Sequence, residues 1–267
     1  MIHFRNAFSD LKDLLCDGSY IFLGLDYDGT LTELVSSPEE GILLDSRRLA
    51  LKALITSVKV TPSIISGRSL QNLRDKVILN NIILAGDHGV EIAGPLIEFT
   101  HHEAKTFKEF LEGLIPKISF IVSLFPGALF EIKPYTLSVH YRLISLRDRK
   151  SLLAKLRIYL KPFLENRLCR RKWGKEILNI VMPFDWDKGH AFSLLLAQLQ
   201  ANYPKKLIIP IYIGDDISDE DAFRVARIKG YAVRVGKPKK NTLAQFFVDS
   251  PNEVESFLFN LSEWVKN

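Results

Sequence analysis

The stretch IFLGLDYDGTLTEL, residues 21 to 34, constrains the fold more than any other part of the chain. Residues 21 to 25 are apolar without alternation, the pattern of a strand covered on both faces, and the run stops at Asp26 and Asp28 with Gly29 and Thr30 behind them. Paired negative charge is costly to bury without partners, so it belongs at the mouth of a sheet rather than in its core.

Similar apolar runs recur at residues 60 to 65 (VTPSII), 82 to 85 (IILA) and 207 to 213 (LIIPIYI). Helical periodicity lies between them, over 45 to 57, 69 to 79, 188 to 201 and 218 to 228. Strands alternating with helices predict an α/β protein built on a parallel, Rossmann-like sheet. Sheets of this kind bind ligands beyond the carboxyl ends of their strands. Asp26, Ser66 and Asp215 each stand at one of those ends.

Residues 103 to 183 follow another pattern. A helix over 103 to 124, strands LFEIK (129 to 133) and TLSVHYR (136 to 142), a helix over 146 to 164 and a hairpin around Gly174 give the order helix, hairpin, helix, hairpin. Period-two alternation puts Phe130, Ile132, Leu137, Val139 and Tyr141 on one face and Glu131, Lys133, Ser138, His140 and Arg142 on the other. Asn179 interrupts an apolar strand on what could be the same polar face. The expectation is an inserted α+β domain, helices on one side and a polar sheet face on the other, dividing a core made of residues 1 to 102 and 184 to 267. The alternative is a sheet with one ordinary solvated face.

Composition excludes several function classes. At 267 residues, 47% hydrophobic and 25% charged, the chain is of ordinary globular type. Its two cysteines, Cys16 and Cys169, are too few for a disulfide framework or a cysteine metal cluster. No apolar run approaches membrane-spanning length and the opening residues lack a secretory pattern, so a cytoplasmic protein with no membrane partner is expected. The formal charge of +5 is unevenly spread: residues 103 to 183 carry 16 Lys and Arg against 7 Asp and Glu, net +9, and the remainder is net −4. A basic region and an acidic one suit a small anion held with a divalent cation, and no nucleic acid is needed. A solvated basic surface is the plainer alternative.

The residues at the strand ends point to phosphoryl chemistry. Asp26 can attack phosphorus if a cation neutralises both the attacking carboxylate and the phosphoryl oxygens. Magnesium prefers hard oxygen ligands, which Asp26, Asp215 and a backbone carbonyl could supply. Asp28, two residues on in an extended chain, points to the same side as Asp26 and could protonate the leaving alkoxide and later take a proton from water. Ser66 in SIISGRS and Lys188 in FDWDKGH offer a hydroxyl and a fixed positive charge to phosphate oxygens. A calcium loop starting at Asp26 is excluded, because Leu31 occupies the position that needs glycine.

DYDGT at 26 to 30, ISGR at 65 to 68, DKG at 187 to 189 and GDDISDEDAF at 214 to 223 resemble the four ordered motifs of the haloacid dehalogenase superfamily of phosphotransferases. AGDHGVEI at 85 to 92 and FEIKPYTLSVHYR at 130 to 142 are similar to segments of one family within it, the trehalose-6-phosphate phosphatases. The resemblance implies a haloacid dehalogenase-type core with an inserted substrate-specificity cap and a magnesium-dependent sugar-phosphate hydrolase. It implies Asp26 as the residue that becomes aspartyl-phosphate, Asp28 as general acid and base, and Asp215 as a magnesium ligand with Asp26 and the Asp28 carbonyl. Ser66 and Lys188 would hold the phosphoryl group, and Asp216 and Asp219 would orient the metal shell or Lys188. Arg68, His88, Glu91, Glu131, Lys133, His140, Arg142 and Asn179 would contact the sugar phosphate, with closure of the cap excluding water. Asn179 stands where that family usually has an acidic residue. Sucrose 6-phosphate or mannosyl-3-phosphoglycerate is therefore an alternative substrate, and a sugar phosphomutase is a further rival. A trehalose-phosphate synthase is the macromolecular partner the resemblance suggests.

Overall fold

The computed structural model describes residues 1–35, 40–95, 97–174 and 176–266. It divides into two compact units, one formed by Met1–Thr100 with Trp186–Asn267 and the other by His101–Asp185. The first unit begins with β1 (Ile2–His3), α1 (Phe8–Cys16), β2 (Tyr20–Leu25), α2 (Asp45–Ile55), β3 (Val60–Ile65), α3 (Leu70–Val77), β4 (Ile83–Gly86), β5 (Glu91–Gly94) and β6 (Ile97–Thr100). The second unit contains α4 (Ala104–Ser123), β7 (Leu129–Lys133), β8 (Thr136–His140), α5 (Leu146–Glu165), β9 (Arg170–Gly174) and β10 (Ile177–Val181). The chain then completes the first unit with α6 (Lys188–Asn202), β11 (Ile208–Gly214), α7 (Glu220–Ala226), β12 (Tyr231–Val235), β13 (Phe246–Val248) and α8 (Pro251–Trp264).

The first unit is built on one sheet of order β1-β13-β12-β11-β2-β3-β4-β5-β6. Pairing is parallel from β1 through β4 and antiparallel for β5 and β6. The unbroken apolar runs now have their explanation: β2, β3 and β11 are buried along their whole length, and successive side chains serve opposite layers. Ile21, Leu23 and Leu25 join the core that also holds Phe4, Leu51 and Phe257, whereas Tyr20 and Phe22 join Phe192, Leu195 and Phe223 on the other side. The parallel α/β core matches the sequence expectation. The terminal β5–β6 hairpin and the strands β12 and β13 extend it, and they are short and chemically mixed, with Arg234 inside YAVRV and only three residues in β13.

The second unit has a four-stranded antiparallel sheet of order β7-β8-β10-β9. Leu137, Val139, Leu178 and Ile180 are buried, as are Phe107, Leu111, Leu114 and Ile118 of α4 and Leu152, Leu156 and Leu160 of α5. The 4,3,4 spacing on α4 and the 4,4 spacing on α5 give each helix one apolar stripe. Alternation thus describes β10 well, whereas in β8 Ser138 of the expected polar face is buried along with Leu137 and Val139. It fails at the edge strand β7, whose Ile132 remains 54% exposed, and β8 ends at His140, so Tyr141 and Arg142 lie beyond it.

Gly24 shows how tightly the layer under the strand ends is packed. A Cβ there would lie 2.6 Å from Phe192 Cε2 and 2.7 Å from Tyr212 Cδ2, and Phe192 is already stacked on Phe22 with ring centroids 4.6 Å apart. Gly24→Ala should lower the unfolding free energy by about 1–3 kcal/mol, as overpacked cores do. Denaturant unfolding checks this, and an unchanged midpoint would show that the two rings can withdraw freely.

Candidate active site

Three strand ends of the first unit converge in one place. β2 hands over to Asp26, whose N–H donates to Ile213 O at 2.9 Å, so the nucleophile candidate is fixed to the neighbouring strand. The turn that follows needs Gly29 for two reasons. Its φ is +80°, and a Cβ would come within 2.4 Å of the Asp215 carboxylate. β3 delivers Ser66, which is 1% exposed and donates its N–H to Ala85 O, while its Oγ accepts from the Arg68 N–H at 3.2 Å. β11 delivers Asp215 and Asp216.

Lys188 stands at the first position of α6, where a positive side chain opposes the helix dipole. It is held there by stronger partners: Nζ donates to Asp26 Oδ1 at 2.6 Å and to Asp219 Oδ1 at 2.7 Å, with 2% of the side chain exposed. Burial works against its charge, but Asp219 and Asp26 keep its pKa well above the ordinary lysine value. Asp219 is held through both oxygens, since Oδ1 also accepts from Tyr212 Oη at 2.9 Å and Oδ2 accepts from the Asp216 N–H at 2.9 Å.

The cluster carries more negative than positive charge. Carboxylate oxygens of Asp26, Asp215 and Asp219 lie within 4.8 Å of one another. Burial pushes the Asp26 carboxyl well above the usual carboxylate range although Lys188 pulls it back. Burial, then Asp219 and Asp216, push Asp215 up to about 6. Asp215 Oδ1 is buried and has no hydrogen-bond partner among the described residues. An orphaned hard oxygen beside a second carboxylate, with the third already committed to Lys188 and Tyr212, fits a small divalent cation of the magnesium class held by Asp26 and Asp215. Arg234, buried on β12, donates from Nη2 to the Asp215 carbonyl and from the other side lies 3.9 Å from Glu220.

A cavity of about 370 Å³ opens at this edge, lined by Asp26, Asp28, Ser66, His88, Lys188 and Asp215 among others. His88, in a left-handed conformation with φ +59°, sets its ring against Gly67. Grooves of about 600 and 810 Å³ lie elsewhere, beside Ile78, Leu79 and Asn80, but they contain no comparable set of reactive groups. Chemistry, not volume, makes this cavity the candidate site. Arg68 is expected from sequence among the substrate contacts. In the structure its Nε and Nη2 donate to the two Asp28 carboxylate oxygens at 2.7 and 2.6 Å and its Nη1 to Asn72 Oδ1 at 2.8 Å. Glu91 opens β5, opposite Gly86 of β4.

The remaining sequence candidates form a group of their own on the second unit. Strand register aligns Glu131, Ser138, Asn179 and Lys172 across β7, β8, β10 and β9, and alternation gives them one face. Ser138 Oγ donates to Asn179 Oδ1 at 2.7 Å. Glu131 meets His140 Nε2 at 3.1 Å and Lys133 Nζ at 3.3 Å. Burial opposes its charge, yet His140 and Lys133 hold it below the usual carboxylate range. Arg142 is 79% exposed, with its Nε 3.9 Å from Glu176. Sequence reasoning missed Tyr212, Arg234 and Lys172. Each sits in a strand whose local pattern is unremarkable, and only the fold shows what it faces.

The chain is similar to known proteins over most of its length. Residues 24–252, from within β2 to the start of α8, match the family model described as trehalose-phosphatase. Trehalose-phosphate phosphatase B of Arabidopsis thaliana is 30% identical over 99% of this chain and 72% of its own length. Probable trehalose-phosphate phosphatase C of the same plant is 32% identical over 94% of this chain and 79% of its own. Aspergillus fumigatus trehalose-6-phosphate phosphatase, 23% identical, shares the fold with a TM-score of 0.70 over 96% of this chain and 97% of that one. The match spans the strand-end acids, the inserted unit and most of the sheet together, and the chain belongs to the trehalose-phosphatase family of phosphoric monoester hydrolases.

Proposed function

We propose that the protein is a magnesium-dependent phosphatase that hydrolyses trehalose 6-phosphate to trehalose and phosphate through an aspartyl-phosphate on Asp26. The observation that carries this reading is the cluster of Asp26, Asp215 and Asp219 around a single buried lysine, with Asp28 beside it at the same cavity. Asp26, Asp215 and the backbone carbonyl of Asp28 would hold magnesium, which when bound neutralises phosphoryl oxygens so that a carboxylate can approach them. Asp26 attacks phosphorus, the bond to the sugar oxygen breaks, and that oxygen leaves with its electron pair and the proton of Asp28. Water then attacks the same phosphorus and gives a proton to Asp28. The phosphorus–Asp26 bond breaks, restoring the carboxylate and freeing phosphate. Ser66 Oγ and Lys188 Nζ donate to the phosphoryl oxygens, while Asp219 and Tyr212 keep Lys188 in place and Asp216 fixes Asp219.

Glu131, Lys133, His140, Arg142 and Asn179 would read the sugar, with His88 and Glu91 contributing from the first unit. Asn179 supports a second reading. Its carbonyl oxygen is taken by Ser138, so the amide presents N–H donors where a carboxylate would present acceptors. A phosphate ester of another disaccharide, or of a sugar joined to an acidic group, would suit those donors. Phosphate release from trehalose 6-phosphate, sucrose 6-phosphate, mannosyl-3-phosphoglycerate and simple hexose phosphates separates the two readings.

Asp26→Asn should abolish turnover and leave the fold and substrate binding intact, because it removes the nucleophile with little change in volume. Turnover by this variant, once mass spectrometry excludes deamidation, contradicts the mechanism. Metal dependence has a signed stability signature. With a carboxyl raised from 3.8 to about 6, Asp215 favours the fold of the metal-free protein fully below pH 4 and loses that contribution as pH rises through 6. Magnesium should therefore raise the melting temperature more at pH 7 than at pH 5, and chelator should remove both that gain and phosphate release. Equal melting shifts at the two pH values would place the cation elsewhere. Arg142→Ala should lower kcat/KM for the sugar phosphate at least tenfold more than for a small aryl phosphate; equal losses would remove Arg142 from sugar recognition.

A further inference from the structure

Arg68 has the position of a substrate-binding residue and the contacts of something else. Its guanidinium is fixed on three sides: both oxygens of Asp28, the Asn72 side chain on α3, and the Tyr27 ring, whose centroid is 5.0 Å from Cζ. Asn72 in turn donates its N–H to Ser69 Oγ, the cap of α3. The Arg68 side chain is 7% exposed, whereas Asp28 is 37% exposed and lines the cavity. A two-pronged arginine–carboxylate contact fixes both side-chain torsions of the aspartate, which a single-point contact does not.

We infer that Arg68 is a positioning residue: anchored by α3 through Asn72, it aims the Asp28 carboxyl at the leaving oxygen and does not bind the phosphoryl group or the sugar. The inference rests on the phosphatase reading above, in which Asp28 passes its proton to the departing sugar oxygen as the phosphorus–oxygen bond breaks. Misplacing a proton donor by about 1 Å costs on the order of a hundredfold in rate. The cost falls on esters whose leaving oxygen needs that proton. A nitrophenolate departs without it.

The test compares kcat/KM, which reports the steps through loss of the alcohol, for trehalose 6-phosphate and 4-nitrophenyl phosphate in magnesium. The proteins are wild type, Arg68→Ala, Arg68→Lys, Asp28→Ala and the Asp28→Ala/Arg68→Ala double variant. Arg68→Ala and Asp28→Ala should each lower the sugar-ester value by roughly a hundredfold and the aryl-ester value by only a few-fold. The double variant should be no worse than Asp28→Ala, and inhibition by inorganic phosphate should stay within about twofold of wild type, since the phosphoryl contacts are intact. Arg68→Lys, which keeps the charge without the fork, should show the same leaving-group-selective loss and carries the comparison if Arg68→Ala melts early. Equal losses on both esters with weakened phosphate inhibition, or a further loss in the double variant, overturn the inference and make Arg68 a phosphate ligand. A wild-type protein that releases phosphate from neither ester refutes the phosphatase reading first, and the role of Arg68 with it.

Discussion

Everything at the strand-end cluster depends on Lys188 standing between Asp26 and Asp219. The lysine is 162 residues from Asp26 along the chain and the contact is 2.6 Å, so one ion pair ties the segment before the inserted unit to the segment after it. A buried pair of this kind is not a source of stability in itself, because desolvation offsets most of the attraction. Losing one member is costly nonetheless, about 3–5 kcal/mol, because the charge left behind has no water to turn to. The arrangement therefore specifies a geometry more than it stabilises a fold. Tyr212 and the Asp216 N–H support it by donating to the same Asp219 carboxylate.

That geometry explains why negative charge accumulates where it does. Parallel strands end together, and each end can place one side chain in a common mouth without disturbing the core beneath. Asp26 and Asp215 come from adjacent strands, Ser66 from the next, and the layer under them is packed so closely that Gly24 has no room for a methyl group. Rigid packing below and an excess of carboxylate above form one design. The excess opposes stability, and in the proposed function it would hold a cation and a phosphate ester.

Much of this was legible in the sequence because it rests on residue type at fixed spacing. DYDGT, ISGR and GDDISDED mark candidate site residues locally, and the unbroken apolar runs of β2, β3 and β11 announce a sheet covered on both sides. What was not legible depends on partners distant in sequence. Arg68 sits in a motif that suggests phosphate, and only the fold shows its guanidinium turned to Asp28 and Asn72. Tyr212 reads as one more aromatic in an apolar run until Asp219 is seen against it, and Lys172 joins the row of Glu131, Ser138 and Asn179 only through the register of β9 on β10. The β5–β6 hairpin escaped notice for the same reason, since its residues gain meaning as an edge extension of β4.

In the proposed mechanism Asp26 takes the phosphoryl group while the carboxylate cluster, with its cation, would hold it. The most direct measurement is acid quenching of Asp28→Ala during reaction with 4-nitrophenyl phosphate and magnesium, followed by peptide mapping. Removing the proton acceptor slows the attack of water, so the phosphoryl group should accumulate on the peptide containing Asp26, and chelator should prevent it. A stoichiometric release of nitrophenol with no phosphoryl group on that peptide, or with one on another residue, would contradict the account.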